Sequence, residues 1–154
     1  DANPDLDISF TLPAMPTGLT YEGINLLAQA KQDGVDIDVV NIMAMDYGAY
    51  ADSGDMGQDA IGAALATISQ LRDLGIDAKV GITPMIGIND VQSEVFTVED
   101  ANQLMAFAKD NPDIASIGMW SLGRDNASQL NTVSPVASGI SQSEYEFTGV
   151  FGAL

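Results

Sequence analysis

The chain has 154 residues, 46 % of them apolar, enough for one domain with a real core. Twenty-two acids face five bases, a net charge of −17, and such a surface repels phosphate backbones and anionic bilayers, so neither nucleic acid nor membrane is an expected partner. Cys and His are absent, which excludes disulfides, Cys or His metal ligands and His-dependent nucleophile systems; no cofactor or metal is expected, and chemistry would fall to carboxylates, Tyr, Trp or main-chain groups.

The acids are scattered along helices and loops, the pattern of a solvated surface and not of a binding tail. Self-repulsion at this charge suits a salty habitat and predicts a melting temperature that climbs steeply with added salt. No apolar run approaches the ~18 residues of a membrane span. Residues Asp1-Ala2-Asn3-Pro4 read as loop, not as a secretory leader.

In chain order the expected elements alternate. A strand covers Asp7 to Leu12. A helix covers about Tyr21 to Gln32, with Ile24, Leu27, Ala28 and Lys31 at helical spacing and Gly34 as its stop. The apolar run Val39 to Met45 reads as a buried strand. A helix follows from about Met56 to Leu74, its face marked by Ile61, Leu65, Ile68, Leu71 and Arg72, with Gly75 as its stop. A strand at Lys79 to Thr83 precedes a helix over Val98 to Asp110, capped by Thr97 and started by the acids Glu99 and Asp100. The last strand is Ala115 to Ser121, and a short helix runs from about Glu144 to Phe151, capped by Ser141 or Ser143. Four βα units of this kind imply parallel strands with right-handed crossovers.

Two strand ends break the apolar pattern. Asp46 and Tyr47 follow Val39-Val40-Asn41-Ile42-Met43-Ala44-Met45, and Trp120, Arg124 and Asp125 follow Ile117-Gly118-Met119. The carboxyl ends of parallel strands are where (β/α) folds expose their chemistry. No GxGxxG or GxxxxGK turn follows a strand, so a nucleotide site is not indicated. Arg124 and Asp125 read as a local ion pair. Asn89, Asp90 and Glu94 read as residues that order the loop after the third long strand. Asp52-Ser53-Gly54-Asp55 only faintly suggests a cation loop, because the EF-hand spacing is missing.

The order of these segments resembles the bacterial and archaeal branch of the family 18 glycoside hydrolases, the chitinases. Asn3 to Pro13 looks like that family's fifth strand, Val40 to Gly48 its sixth, Gly81 to Asp90 with Glu94 and Phe96 its seventh, and Gly118 to Asp125 its eighth; Ser141 to Phe151 looks like its closing segment. The resemblance implies an α/β fold of the (β/α)8 TIM-barrel family, with residues 1–154 forming the C-terminal half of the catalytic domain, a half barrel. It implies hydrolysis of β-1,4-linked N-acetylglucosamine by a retaining mechanism in which the substrate's own N-acetyl oxygen attacks the anomeric carbon. It maps acetamide positioning onto Asp46 with Tyr47 as a nearby hydroxyl, the floor of the sugar site onto Trp120, and its wall onto Met43 and Met45. The family's proton-donor signature DxxDxDxE does not occur in the sequence. Its nearest imitation, Asp5-Leu6-Asp7-Ile8-Ser9, lies on the next strand and places Ser9 where the acid would stand. The expected partners are chitin or chitooligosaccharide, together with the missing N-terminal half barrel or a second copy of this chain. A secreted protein is expected, its signal not in this chain. The competing reading is a sugar-binding, chitinase-like module without turnover.

Overall fold

The computed structural model describes residues 6–153. The elements are β1 (Ser9–Met15), β2 (Gly18–Leu19), α1 (Tyr21–Gln32), β3 (Val39–Ala44), α2 (Met56–Leu74), β4 (Lys79–Pro84), β5 (Gly87–Ile88), β6 (Val95–Phe96), α3 (Val98–Asp110), β7 (Ile114–Ile117), a 3-10 turn at Leu122–Arg124 and α4 (Glu146–Phe151). The main sheet runs β2-β1-β3-β4-β7, and β5 pairs with β6 in a separate two-stranded ribbon. β1, β3, β4 and β7 are parallel, whereas β2 folds back antiparallel on the end of β1.

The parallel strands lie in the order in which they occur along the chain. With right-handed crossovers, an order that never reverses keeps every connecting helix on the same face. A doubly wound sheet would need a reversal point, and none is present among the described residues. The burial pattern agrees. Along β3, Val40, Ile42 and Ala44 are buried, while Val39, Asn41 and Met43 are half-exposed. Leu12 and Ala14 of β1 and Val80 and Ile82 of β4 join the buried set against Leu27, Ala60, Ala64, Ile68 and Leu104 of the helices.

The opposite face is more polar. Thr11, Asn41, Gly81 and Ser116 sit side by side across β1, β3, β4 and β7. Asn41 Nδ2 donates to Thr11 Oγ1 at 3.3 Å, and Thr83 Oγ1 donates to Asn41 Oδ1 at 3.0 Å. The next row toward the carboxyl ends brings Pro13, Met43 and Thr83 together. Ser9, Thr11 and Pro13 are exposed.

Helix ends follow local chemistry. Thr20, Asp55 and Thr97 each accept a backbone N–H in the first turn of α1, α2 and α3, and Thr97 with Asp100 completes a capping box. Gly75 ends α2 in the left-handed region. Lys31 Nζ reaches from α1 to donate to the Leu74 and Gly75 carbonyls at 2.6 and 2.7 Å, which satisfies that helix end a second time.

Several expectations need correction. β1 continues past Leu12 to Met15 because Pro13 lies where the strand meets no ladder partner on its outer side. The last strand is shorter than expected, ending at Ile117, although Trp120 forms a single parallel bridge to Met85. Leu65 is exposed; α2 rests instead on Ala60, Ala63, Ala64 and Thr67, whose small side chains allow close approach to the sheet. Neither Ser141 nor Ser143 caps the final helix. Asp125 does so from a distant loop, accepting from Phe147 N at 3.2 Å, Thr148 N at 2.8 Å and Thr148 Oγ1 at 2.7 Å. Asn3 to Asp5, part of the expected first strand, lie outside the described residues. No helix of the described residues is long and apolar enough to cross a membrane.

Candidate active site

The carboxyl ends of β3, β4 and β7 gather the residues singled out above. Asp46 is half-buried and adopts φ 53°, the left-handed region that non-glycine residues rarely occupy. Its Oδ1 accepts the Val91 N–H at 2.9 Å. Its Oδ2 takes no hydrogen bond among the described residues, so one carboxylate oxygen is anchored and the other is available. Met43 and Met45 are half-buried nearby on the same chain segment.

Tyr47 does not share this mouth. Strand alternation would send it to the side of Met43 and Met45, but the left-handed turn at Asp46 re-aims it into the core. It is buried, and its hydroxyl is enclosed without a partner among the described residues. Burial, followed by the charges of Asp59 and Glu94, raises its pKa far above the ordinary phenol value. A hydroxyl so placed cannot contact a ligand held by Asp46.

Trp120 is 58 % exposed. Its N–H donates to the Pro84 carbonyl at 2.8 Å, and its carbonyl accepts the Ile86 N–H at 3.0 Å, so the backbone is fixed while the indole faces outward. The Trp120–Ser121 peptide bond is cis. A cleft of about 320 Å³ lies beside the indole, lined by Met85, Asp90, Trp120, Arg124, Ser134 and Pro135. A larger hollow of about 520 Å³ sits between α3 and α4, lined by Met105, Lys109 and Val150, with none of these residues in its wall.

Two buried charges knit the surrounding loops. Glu94 is 0 % exposed, and its two oxygens accept the N–H groups of Tyr47 at 3.0 Å and Gly48 at 2.7 Å. Burial pushes its carboxyl above the ordinary glutamate value, and the two N–H bonds offset part of that rise. Arg124 is 1 % exposed and donates to the carbonyls of Ser134, Ile86 (2.9 Å) and Ile88 (2.6 Å). Burial lowers its pKa, while the charges of Asp90 and Asp46 pull it back up. The expected Arg124–Asp125 ion pair is not formed: the arginine turns to the loop after β4 and the aspartate to α4. The ion pair found among the described residues is Arg72–Asp113, at 2.7 Å on the surface.

The remaining loop acids are also accounted for. Asp52 accepts from Gly54 N, Asp55 from Gln58 N, and Asp59 from Ser53 N, so this segment folds on its own carboxylates. No group of three or more potential metal ligands occurs among the described residues.

A parallel sheet with helices on one face carries an aspartate and an exposed tryptophan at its carboxyl end, and in sequence and fold the chain is similar to parts of chitinases. The sequence is 41 % identical over 96 % of this chain to the probable bifunctional chitinase/lysozyme of Escherichia coli (strain K12), covering 18 % of that protein. It is 44 % identical over 79 % of the chain to Endochitinase 11 of Metarhizium anisopliae, covering 26 % of that protein. The fold matches the catalytic domain of the hyperthermophilic Pyrococcus furiosus chitinase with a TM-score of 0.88 and 34 % identity, across 99 % of this chain and 51 % of that one. A catalytic-site mutant of that enzyme's active domain 2, complexed with chito-oligosaccharides, matches equally well. The chain thus spans only part of each relative. No protein-family model matches it. The resemblance to family 18 chitinases read from the sequence is borne out by these relatives.

Proposed function

We propose that this chain is the C-terminal half of a family 18 chitinase barrel, supplying strands five to eight of the catalytic domain. It holds a β-1,4-linked N-acetylglucosamine chain across the ends of β3, β4 and β7. The observation that carries this reading is the Asp46 carboxylate, anchored through one oxygen and open at the other, at the same sheet end as the exposed Trp120. Asp46 accepts the acetamide N–H and holds the acetamide oxygen in line with the anomeric carbon. As that oxygen attacks, positive charge develops on the acetamide, and the adjacent carboxylate stabilises it. Trp120 packs its indole against the C–H face of the sugar. The leaving oxygen needs a proton, and its donor comes from outside these 154 residues, since no DxxDxDxE occurs in them. Chain partners are chitin or a chitooligosaccharide and the other half of the barrel, in a secreted protein.

That missing signature also favours a second reading, a binding module without turnover, whose open sheet face pairs with a second copy. The test is release of a chromophore from an aryl chitobioside, with Asp46→Asn as control, alongside calorimetric titration with chitotetraose and measurement of the mass in solution. The half-barrel reading expects no turnover from the chain alone, and turnover once a folded N-terminal half bearing DxxDxDxE is added. Binding by a dimer that no such half can activate would favour the module. Activity in the chain alone would sink both.

A further inference from the structure

We infer that Glu94 is a positioning residue for the sugar-holding site: through the N–H groups of Tyr47 and Gly48 it fixes where the Asp46 carboxylate points. The inference rests on the reading of Asp46 as the acetamide-holding group.

Asp46 occupies the left-handed region, which residues other than Gly seldom adopt although Asp tolerates it better than most. The hydrogen bonds around it show how that turn is held. The two N–H groups that follow it are gripped by one side chain, at 3.0 and 2.7 Å. The grip is returned from the same short segment. Val91, three residues before Glu94, donates its N–H to Asp46 Oδ1 at 2.9 Å. Asn89 is 0 % exposed, fixes its own amide on the Met85 and Gly87 carbonyls at 2.9 and 3.0 Å, and turns its oxygen toward the Asp46 N–H at 3.4 Å. The segment is internally rigid: Glu94 N donates to the Val91 carbonyl at 2.8 Å and Asn89 N to the Glu94 carbonyl at 3.0 Å. Gly87 lets it start there, at φ 74° and so close to Ser138 that a Cβ would collide with that residue's carbonyl. Loops 46–48 and 89–94 thus hold each other through a closed circuit, with Asp46 as its one member aimed at the mouth.

The chemistry of the gripping group is specific. Two N–H donors face it, and an ionised carboxylate is an acceptor at both oxygens. An amide would present N–H to one of them and lose that bond. The circuit should therefore respond to the charge state of residue 94 and not merely to its volume.

The test uses nuclear magnetic resonance of the full chain, reading the Val91 amide as a reporter of Asp46. Asp46→Asn provides the signature of a lost carboxylate. In Glu94→Gln, with the amides of α2 and β4 unmoved, the Val91 amide should shift toward that signature and exchange with solvent about tenfold faster, as for loss of a charge-assisted hydrogen bond. Glu94→Asp, which keeps the charge and loses one methylene of reach, should move it in the same direction but by clearly less than Glu94→Gln. A Val91 amide left at its wild-type position in either folded variant overturns the inference. So does failure of both variants to fold, which would assign Glu94 to stability alone. Titration with chitotetraose separates this inference from the reading beneath it. Affinity lowered about tenfold in both Glu94→Gln and Asp46→Asn supports the two together. Unchanged affinity in Asp46→Asn defeats the functional reading, while the Val91 result still decides the positional link.

Discussion

The two faces of the sheet are built to different rules. The helix-covered face is continuous aliphatic packing: Leu12, Val40, Ile42, Val80 and Ile82 are buried against the helices. The other face carries Thr11, Asn41, Thr83 and Ser116, joined in part by side-chain hydrogen bonds across strands. One face accounts for why the chain folds. The other has the character of an interior waiting to be closed, because Thr11, Asn41 and Thr83 are already paired among themselves. The sheet ends show the same division of labour: the mouth is shaped by buried charges that bind backbone, not by apolar contact.

The sharpest way to break this comparison is at Arg124. Its guanidinium holds three carbonyls from two loops, so Arg124→Ala leaves buried acceptors unpaired and should cost about 3–5 kcal/mol in urea unfolding. A cost under about 1 kcal/mol would mean the loops hold without it. Next comes a matched pair on β3. Ile42→Ala on the covered face should lose about 2–5 kcal/mol. Asn41→Ala on the open face should lose about 1 kcal/mol, since one exposed and one part-buried hydrogen bond go and no apolar packing is lost. Equal losses would show that the open face is packed in solution, by a second copy for example, and the comparison would fail. The smallest effect is at a helix cap: Thr97→Ala should cost about 1 kcal/mol and leave sugar binding unchanged.

The residues explain what could be read in advance. The cap at Thr97 and the stop at Gly75 fall where the sequence places them, because both residues act on neighbours within one turn; Thr20 and Asp55 cap α1 and α2 in the same local way. The apolar run from Val39 does form a strand through Ala44, but one buried on a single face and not on both. What alternation misses is a single left-handed residue: Asp46 inverts the pattern, so Tyr47 enters the core instead of the mouth. Pro13 reads as a strand stop but is tolerated on an outer strand. Long-range side-chain-to-backbone bonds leave no local trace. Glu94 reaches back 46 and 47 residues, and Asp125 caps a helix 22 and 23 residues ahead. The sequence reads Glu94 as ordering its own loop, and what it does not show is the second loop, 46–48, that the same carboxylate holds. The two-residue strands β5 and β6 are too short for any periodicity to register.

The strands at the sheet's margins bear on handling. On one side, Pro13 withholds an N–H and β2 covers the end of β1, so pairing there is confined to the part of β1 before Pro13. On the other, β7 pairs with β4 alone among the described residues, and its Ala115 and Ser116 are exposed. That margin offers free backbone to any extended segment, with few charges on the strand itself to repel it. A concentrated stock of this protein should therefore lengthen or cross-link through β7 before it unfolds, and a lysine placed at Ala115 is the first change to make for a well-behaved sample.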